Sequence, residues 1–290
     1  MTASLPRIAN RYEIEARLGS GISGQVFRCR DLEDQKSVVV KLAHDEGIAE
    51  ASVQFEAKAL ALLAEGTHSG ARAPKFYESG LHDHRPYLVQ ELVATPYAQL
   101  DLSTRLGMVE IWRLWLELCE LLARAHALGF VHGDLGGAKL EHLWWHRQPD
   151  GPTPRLVVID WGNIAWPEDL SRTSPLGFGD DLAAISSTIA TLALGKVVDG
   201  TEDAKIAIER ASLAWPEHAR KLLISSFDAS GPNAKTAMEV LAGKVAELIR
   251  HEPDQEQLAE LIRHEPDREP LGAPHDGRPS RDIANVHKLI

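Results

Sequence analysis

The sequence is short of several things, and each shortage removes a class of protein. Its only two cysteines are Cys29 and Cys119, in separate segments. They cannot build a disulfide framework and read as thiols of a reducing compartment. No run approaches the roughly 20 apolar residues that a membrane helix needs, and residues 1–10 carry no apolar core of a secretory signal. The expectation is a cytoplasmic protein without a membrane partner. Positive charge is also scarce, with 31 Lys and Arg against 42 Asp and Glu, a formal charge of −11. General nucleic-acid binding is thereby excluded, because phosphate contacts need clustered Lys and Arg. Histidine is more plentiful, at 13 residues. The close pairs His82/His84 and His142/His146 nevertheless lack the cysteines and ligand count of a closed zinc site. What remains is ordinary globular material: 290 residues, 44% hydrophobic, enough for one or two domains.

The first third of the chain has strand character. Residues 12–18 and 25–30 flank a glycine-rich turn, and residues 37–42, Ser-Val-Val-Val-Lys-Leu, are β-branched almost throughout. Residues 52–64 repeat apolar side chains at helical spacing. Residues 75–81 and 86–93 form a second strand pair around the polar turn at 82–85. The remainder is helical, predicted at 109–128, 181–194, 201–214, 218–227 and 234–250, interrupted by a hairpin of residues 143–145 and 155–159. A β-rich part followed by an α-rich part predicts an α+β fold of two lobes. The expected divisions are an N-terminal segment 1–9, a first lobe 10–93, a second lobe 94–250 and a charged, partly disordered tail 251–290. In the tail, Glu-Leu-Ile-Arg-His-Glu-Pro-Asp occurs twice, starting at Glu247 and at Glu260. Two short copies are too few for a solenoid.

Several residues carry chemistry beyond packing. Gly19, Gly21 and Gly24 lie in Gly-Ser-Gly-Ile-Ser-Gly between two strands. Such a loop lets backbone N–H groups approach phosphate oxygens, although by itself it reads equally well as a hairpin turn. A strand follows it, not the helix that a dinucleotide fold requires. Lys41 ends a strand of three valines, and Glu56 lies on the next helix where it can pair with that lysine. His132-Gly133-Asp134-Leu135 follows a long amphipathic helix, and Asp160-Trp161-Gly162 follows an apolar strand. Two aspartates so placed suit phosphoryl transfer, which needs one to orient the attacking hydroxyl and another to hold metal.

In this order the pieces resemble the protein kinases over residues 10–250, with Tyr87 to Val93 as the segment joining the lobes. The resemblance implies ATP and Mg²⁺, with Mn²⁺ as a substitute. Lys41 and Glu56 would clamp the phosphates, Gly19, Gly21 and Gly24 would cover them, and Val26 and Val39 would pack on the adenine. Gln90 would be the gatekeeper, and the backbone of Glu91 and Val93 would bond the base. Asp134 would position the acceptor hydroxyl, Asp160 would bind metal, and His132 and Asp181 would brace the loop. Asp181 also reads as a plain helix N-cap.

Two features depart from the family pattern. The family places a metal-ligating Asn five residues after the catalytic Asp, where this chain has Lys139, which cannot ligate. Aligning the following apolar strand, Leu143-Trp144-Trp145, moves the ligand position to His142, with Glu141 beside it. Either the loop is longer and His142 or Glu141 holds metal, or the site is degraded and the chain is a nucleotide-binding scaffold. Glycine at 133 replaces the family's Arg, and no Ala-Pro-Glu motif lies between Asp160 and Asp181. A switch through phosphorylation of Ser171, Thr173 or Ser174 is therefore not expected. The same motifs resemble the aminoglycoside and choline phosphotransferases, so two acceptors remain open: Ser or Thr of a protein partner, and a small hydroxyl compound.

Overall fold

The computed structural model describes residues 6–45, 47–64, 70–136, 139–147, 155–163, 177–198, 201–210, 215–228 and 234–251. By contacts, Met1–Ile249 forms one unit and Arg250–Ile290 another, of which Arg250 and His251 are described. Outside the described residues lie the turn at 148–154, Ser171, Thr173, Ser174 and the second Glu-Leu-Ile-Arg-His-Glu-Pro-Asp copy.

The first part is an antiparallel sheet built from β1 (Arg7–Ile8), β2 (Tyr12–Ser20), β3 (Gly24–Asp31), β4 (Ser37–Ala43), β5 (Phe76–His82) and β6 (Arg85–Glu91). Its strand order is β1-β2-β3-β4-β6-β5. Strand alternation sorts its residues between two faces. Val38, Val40 and Leu42 point to one face, where they pack with Ile8, Tyr12, Cys29, Tyr87 and Val89. Val39 and Lys41 therefore share the opposite face. Registry adds to it: Val26 pairs with Lys41, Lys41 with Leu88, and Val39 with Gln90. Burial on both faces is why β4 reads as an unbroken apolar run.

Helix α1 (Gly47–Leu63) packs on this second face. It starts five residues earlier than the sequence pattern indicated, because Ala49 extends the buried stripe of Val53, Glu56 and Leu60 by one turn. Between β5 and β6, Asp83 and His84 have φ of 48° and 66°, as a two-residue type I′ turn requires.

The second part contains α2 (Met108–Ala127), α3 (Phe178–Leu194), α4 (Thr201–Arg210), α5 (Glu217–Ser226) and α6 (Ala234–Arg250). Its small sheet has the order β7 (Ala98–Gln99), β8 (Leu143–Trp145), β9 (Leu156–Val158). The chain has a bilobal α+β fold. α2 buries Ile111, Leu114, Trp115, Leu118, Leu121, Leu122 and Ala125 along one side. Its last turn closes with Gly129 N–H on His126 O and Phe130 N–H on Ala125 O, both at 3.0 Å, which turns the chain toward His132. Strand β7 was not legible in the sequence. Its two residues are exposed, and its pairing with Trp144 and Trp145 holds it. Among the described residues no helix is long and apolar enough to cross a membrane.

Gly24 is dictated by close approach: a Cβ there would lie 2.3 Å from the Leu42 carbonyl oxygen and 2.9 Å from its carbon. Gly24→Ala is expected to lower stability by about 1–3 kcal/mol, the usual range for overpacking, measured by chemical denaturation. At the far edge, Arg11 grips buried Asp31 through two bonds of 2.8 Å. With the Glu33 N–H, it holds that carboxyl down at about 2. A depressed carboxyl stabilises the fold above its ordinary value and loses the contribution as pH falls through the depressed one. The denaturation midpoint should thus fall between about pH 4 and about pH 2 in the wild type, and this part of the drop should vanish in Arg11→Met.

Candidate active site

The facing surfaces of the two lobes enclose a cleft of about 390 Å³. Gly21, Ile22 and Ser23 cover it from the glycine-rich loop, and Val26, Lys41, Glu56 and Gln90 line its upper wall. Gln99, Asp134, Lys139, Glu141, His142, Ile159 and Asp160 line the lower wall. Gln99 also donates to the Glu141 carbonyl at 2.8 Å. Gly19, Gly24, Val39, Glu91 and Val93 are not among the lining residues. The Glu91 side chain is paired with Arg72 at 2.5 and 2.8 Å, and its N–H is donated to Lys75 O. A larger groove of about 490 Å³, lined by Val53, Ala57, Phe76, Leu81 and Tyr87, has Lys58 as its one charged lining residue. Convergent ionisable groups therefore mark the smaller cleft as the candidate site.

Alternation along β4 aims Lys41 inward, and the α1 stripe brings Glu56 to meet it. Lys41 Nζ lies 2.7 Å from Glu56 Oε2 and 2.9 Å from Asp160 Oδ1. Glu56 is 1% exposed. Burial opposes the Lys41 ammonium, but the two carboxylates outweigh it and hold the group above its ordinary value. Burial likewise opposes ionised Asp160, and Lys41 outweighs it, so this carboxyl stays below the usual range. Burial, with the nearby Asp160 charge, holds the Glu56 carboxyl above its ordinary value against the pull of Lys41 and the Trp161 N–H. Asp160 has a left-handed φ of 63°, which Asp tolerates better than most residues. Trp161 is wholly buried, donates its indole N–H to Val158 O and packs against Phe130 and His132.

The His132-Gly133-Asp134 turn is held from below. Asp181 does not cap α3, since Gly177 occupies that position. One turn into the helix, its fully buried carboxylate accepts His126 Nε2–H at 2.9 Å, His132 N–H at 2.9 Å and Gly133 N–H at 3.0 Å. Gly133 has φ 74°, a conformation that a side chain would strain. Both nitrogens of His132 are engaged: Nδ1 accepts Asp134 N–H at 3.3 Å, and Nε2 donates to Ile159 O at 3.2 Å. Burial holds this ring below its ordinary pKa, hence neutral.

Of the three residues weighed for the second ligand position, His142 lies with both aspartates. Asp134, His142 and Asp160 each bring a donor atom within 4.8 Å of the others. Lys139 Nζ is 3.8 Å from Asp134 Oδ2 and half-exposed. Glu141 is exposed at the cleft edge. Carboxylates with an imidazole form a donor set that can hold a divalent ion.

Sequence reasoning overlooked Ser52. Its Oγ lies 2.5 Å from Gly162 O and 2.7 Å from Ser23 Oγ. A carbonyl only accepts, so Ser52 donates to Gly162 and takes the Ser23 hydroxyl proton. Its place one turn before Glu56 on the same helix face was the available signal.

No protein-family profile matches the chain. Serine/threonine-protein kinase D of Synechocystis is 27% identical over 243 residues, 74% of this chain and 46% of that protein. Cyclin-dependent kinase F-1 of Oryza sativa is 31% identical over 146 residues, 47% of this chain and 28% of that protein. The chain spans less than half the length of these curated relatives. A point mutant of the Mycobacterium tuberculosis PknI kinase domain superposes with a TM-score of 0.61 at 18% identity, over 85% of this chain and 98% of that one. The fold is thus that of a kinase domain. In sequence the chain is similar to these protein kinases.

Removing the Asp181 carboxylate leaves three buried N–H groups without an acceptor. Asp181→Ala should lower stability by about 3–5 kcal/mol, read as a shift in denaturation midpoint.

Proposed function

We propose that the chain is an ATP-dependent phosphotransferase that modifies Ser or Thr of a protein. One observation carries this reading: Lys41 with Glu56, Asp134, Asp160 and His142 all converge on a single cleft. ATP would supply the transferred phosphoryl group, and a divalent cation would offset the charge developing on it. Lys41 would bind phosphate oxygens, with Glu56 and Asp160 holding its ammonium in place. The loop at Gly21, Ile22 and Ser23 would cover the phosphates, and the amide of Gln90 would border the base.

Asp134 would orient the acceptor hydroxyl and take its proton. Lys139, 3.8 Å from the Asp134 carboxylate, offers a flexible positive charge at the cleft edge where the transferred group would pass. Asp160 and His142 would hold the cation, with Glu141 outside that set. The grouping of His142 with both aspartates supports the longer-loop reading of the sequence over a degraded site, because His142 would supply, three residues later, the ligand missing at Lys139. The Synechocystis relative is a serine/threonine-protein kinase, which favours a protein acceptor over a small hydroxyl compound.

The test is transfer of label from γ-labelled ATP to the chain itself and to generic protein acceptors, with Mg²⁺ or Mn²⁺ present. Wild type should label Ser or Thr. Asp134→Asn should reduce transfer by at least ~10²-fold while binding nucleotide as well as wild type. Thermal stabilisation by ATP without transfer to any acceptor would instead make the chain a nucleotide-binding scaffold.

A further inference from the structure

We propose that the cleft selects a transition-metal dication of the Mn²⁺ class over Mg²⁺, and that His142 makes the selection. The inference rests on the phosphotransferase reading above and names the metal for it.

Hydrogen bonding settles the tautomer of His142. Its Nδ1 lies 3.0 Å from the backbone oxygen of Asp134. A carbonyl oxygen can only accept, so the Nδ1 proton is committed there. In the neutral ring the lone pair is then on Nε2, which lies 3.5 Å from Asp160 Oδ2. Two electron-pair donors face each other where the ring is only 6% exposed. With the ring neutral they repel unless a cation lies between them, and with Nε2 protonated they form an ion pair that a metal must displace. Asp134 adds a carboxylate oxygen, and all three donor atoms fall within 4.8 Å of one another. Two ligands on opposite sides of an ion at roughly 2.1–2.3 Å stand about 4.4 Å apart, so little adjustment is needed.

The neighbouring imidazole shows the contrast. His132 uses both nitrogens, accepting from Asp134 N–H and donating to Ile159 O. It has no lone pair to give, so the site takes one nitrogen and two carboxylates. Mg²⁺ prefers oxygen in all positions and sheds water reluctantly. Imidazole nitrogen suits Zn, Cu, Fe and Ni best, and Mn²⁺, first in the same transition row, joins some of that affinity for nitrogen to the preference of Mg²⁺ for carboxylate and phosphate oxygens. A histidine whose other N–H is fixed on a backbone carbonyl is the arrangement that orients and strengthens such a ligand.

The experiment is a Mn²⁺ titration of the full chain followed by electron paramagnetic resonance, with a non-hydrolysable ATP analogue present and Mg²⁺ as competitor. Bound Mn²⁺ should show nitrogen coupling from one imidazole in pulsed measurements on the unmodified protein. His142→Asn should lose that coupling and bind Mn²⁺ about tenfold more weakly, with Mg²⁺ affinity within about threefold of wild type. Mn²⁺ bound without nitrogen coupling would overturn the inference, as would equal Mn²⁺ affinity in the variant. Analogue binding with no metal uptake would also overturn it while leaving the nucleotide reading standing. Nitrogen-coupled Mn²⁺ without any analogue binding would support the inference and overturn the nucleotide reading.

Discussion

One buried ammonium organises this molecule. Lys41 comes from the sheet, Glu56 from the helix on that sheet, and Asp160 from the other lobe, and all three meet through contacts of 2.7 and 2.9 Å. A lysine so enclosed is tolerated only with compensating charge, and Glu56 would be an unpaired buried carboxylate without it. The position of α1, the facing of β4 and the conformation after β9 are thereby tied to a single point. Gly162 is part of this arrangement: a Cβ there would come within 3.0 Å of Lys41 Nζ and 3.3 Å of Glu56 Oε2.

Below that point, the lower wall is held by residues that never face the cleft. Asp181 gathers the N–H groups of His126, His132 and Gly133, and His132 ties Asp134 to the strand end at Ile159. With these bonds made, the Asp134 carboxylate is left to line the cleft. His132 and His142 divide the labour: His132 spends both nitrogens on backbone groups, whereas His142 spends Nδ1 on the Asp134 carbonyl and turns Nε2 toward Asp160.

Much of this was legible from the chain alone. The strand that carries Lys41 and the helix that carries Glu56 were both legible, although the unbroken apolar run Val38 to Leu42 did not tell which way Lys41 points. Aligning on strand Leu143–Trp145 pointed to His142, which lies beside Asp134 and Asp160, whereas a count from Asp134 pointed to Lys139. What escaped reading depended on tertiary pairing. β7 is two exposed residues with no pattern of their own, and Gly24 reflects the nearness of Leu42, which lies on another strand. The N-cap reading of Asp181 failed because a carboxylate near a helix start serves the helix or a neighbour, and only packing decides between them. Ser52 was missed because a hydroxyl on a helix face is usually unremarkable, and its partners are distant in sequence.

That hydroxyl has a mechanical consequence. Ser52 sits at a three-way joint of the loop at Ser23, the helix carrying Glu56 and the segment following Asp160. Lifting the loop to admit a large guest breaks a bond to the helix, and sliding the helix breaks a bond to the opposite lobe. One hydroxyl thus fastens the roof of the chamber and the segment on its floor to the same helix, so neither can shift without giving up a bond to it.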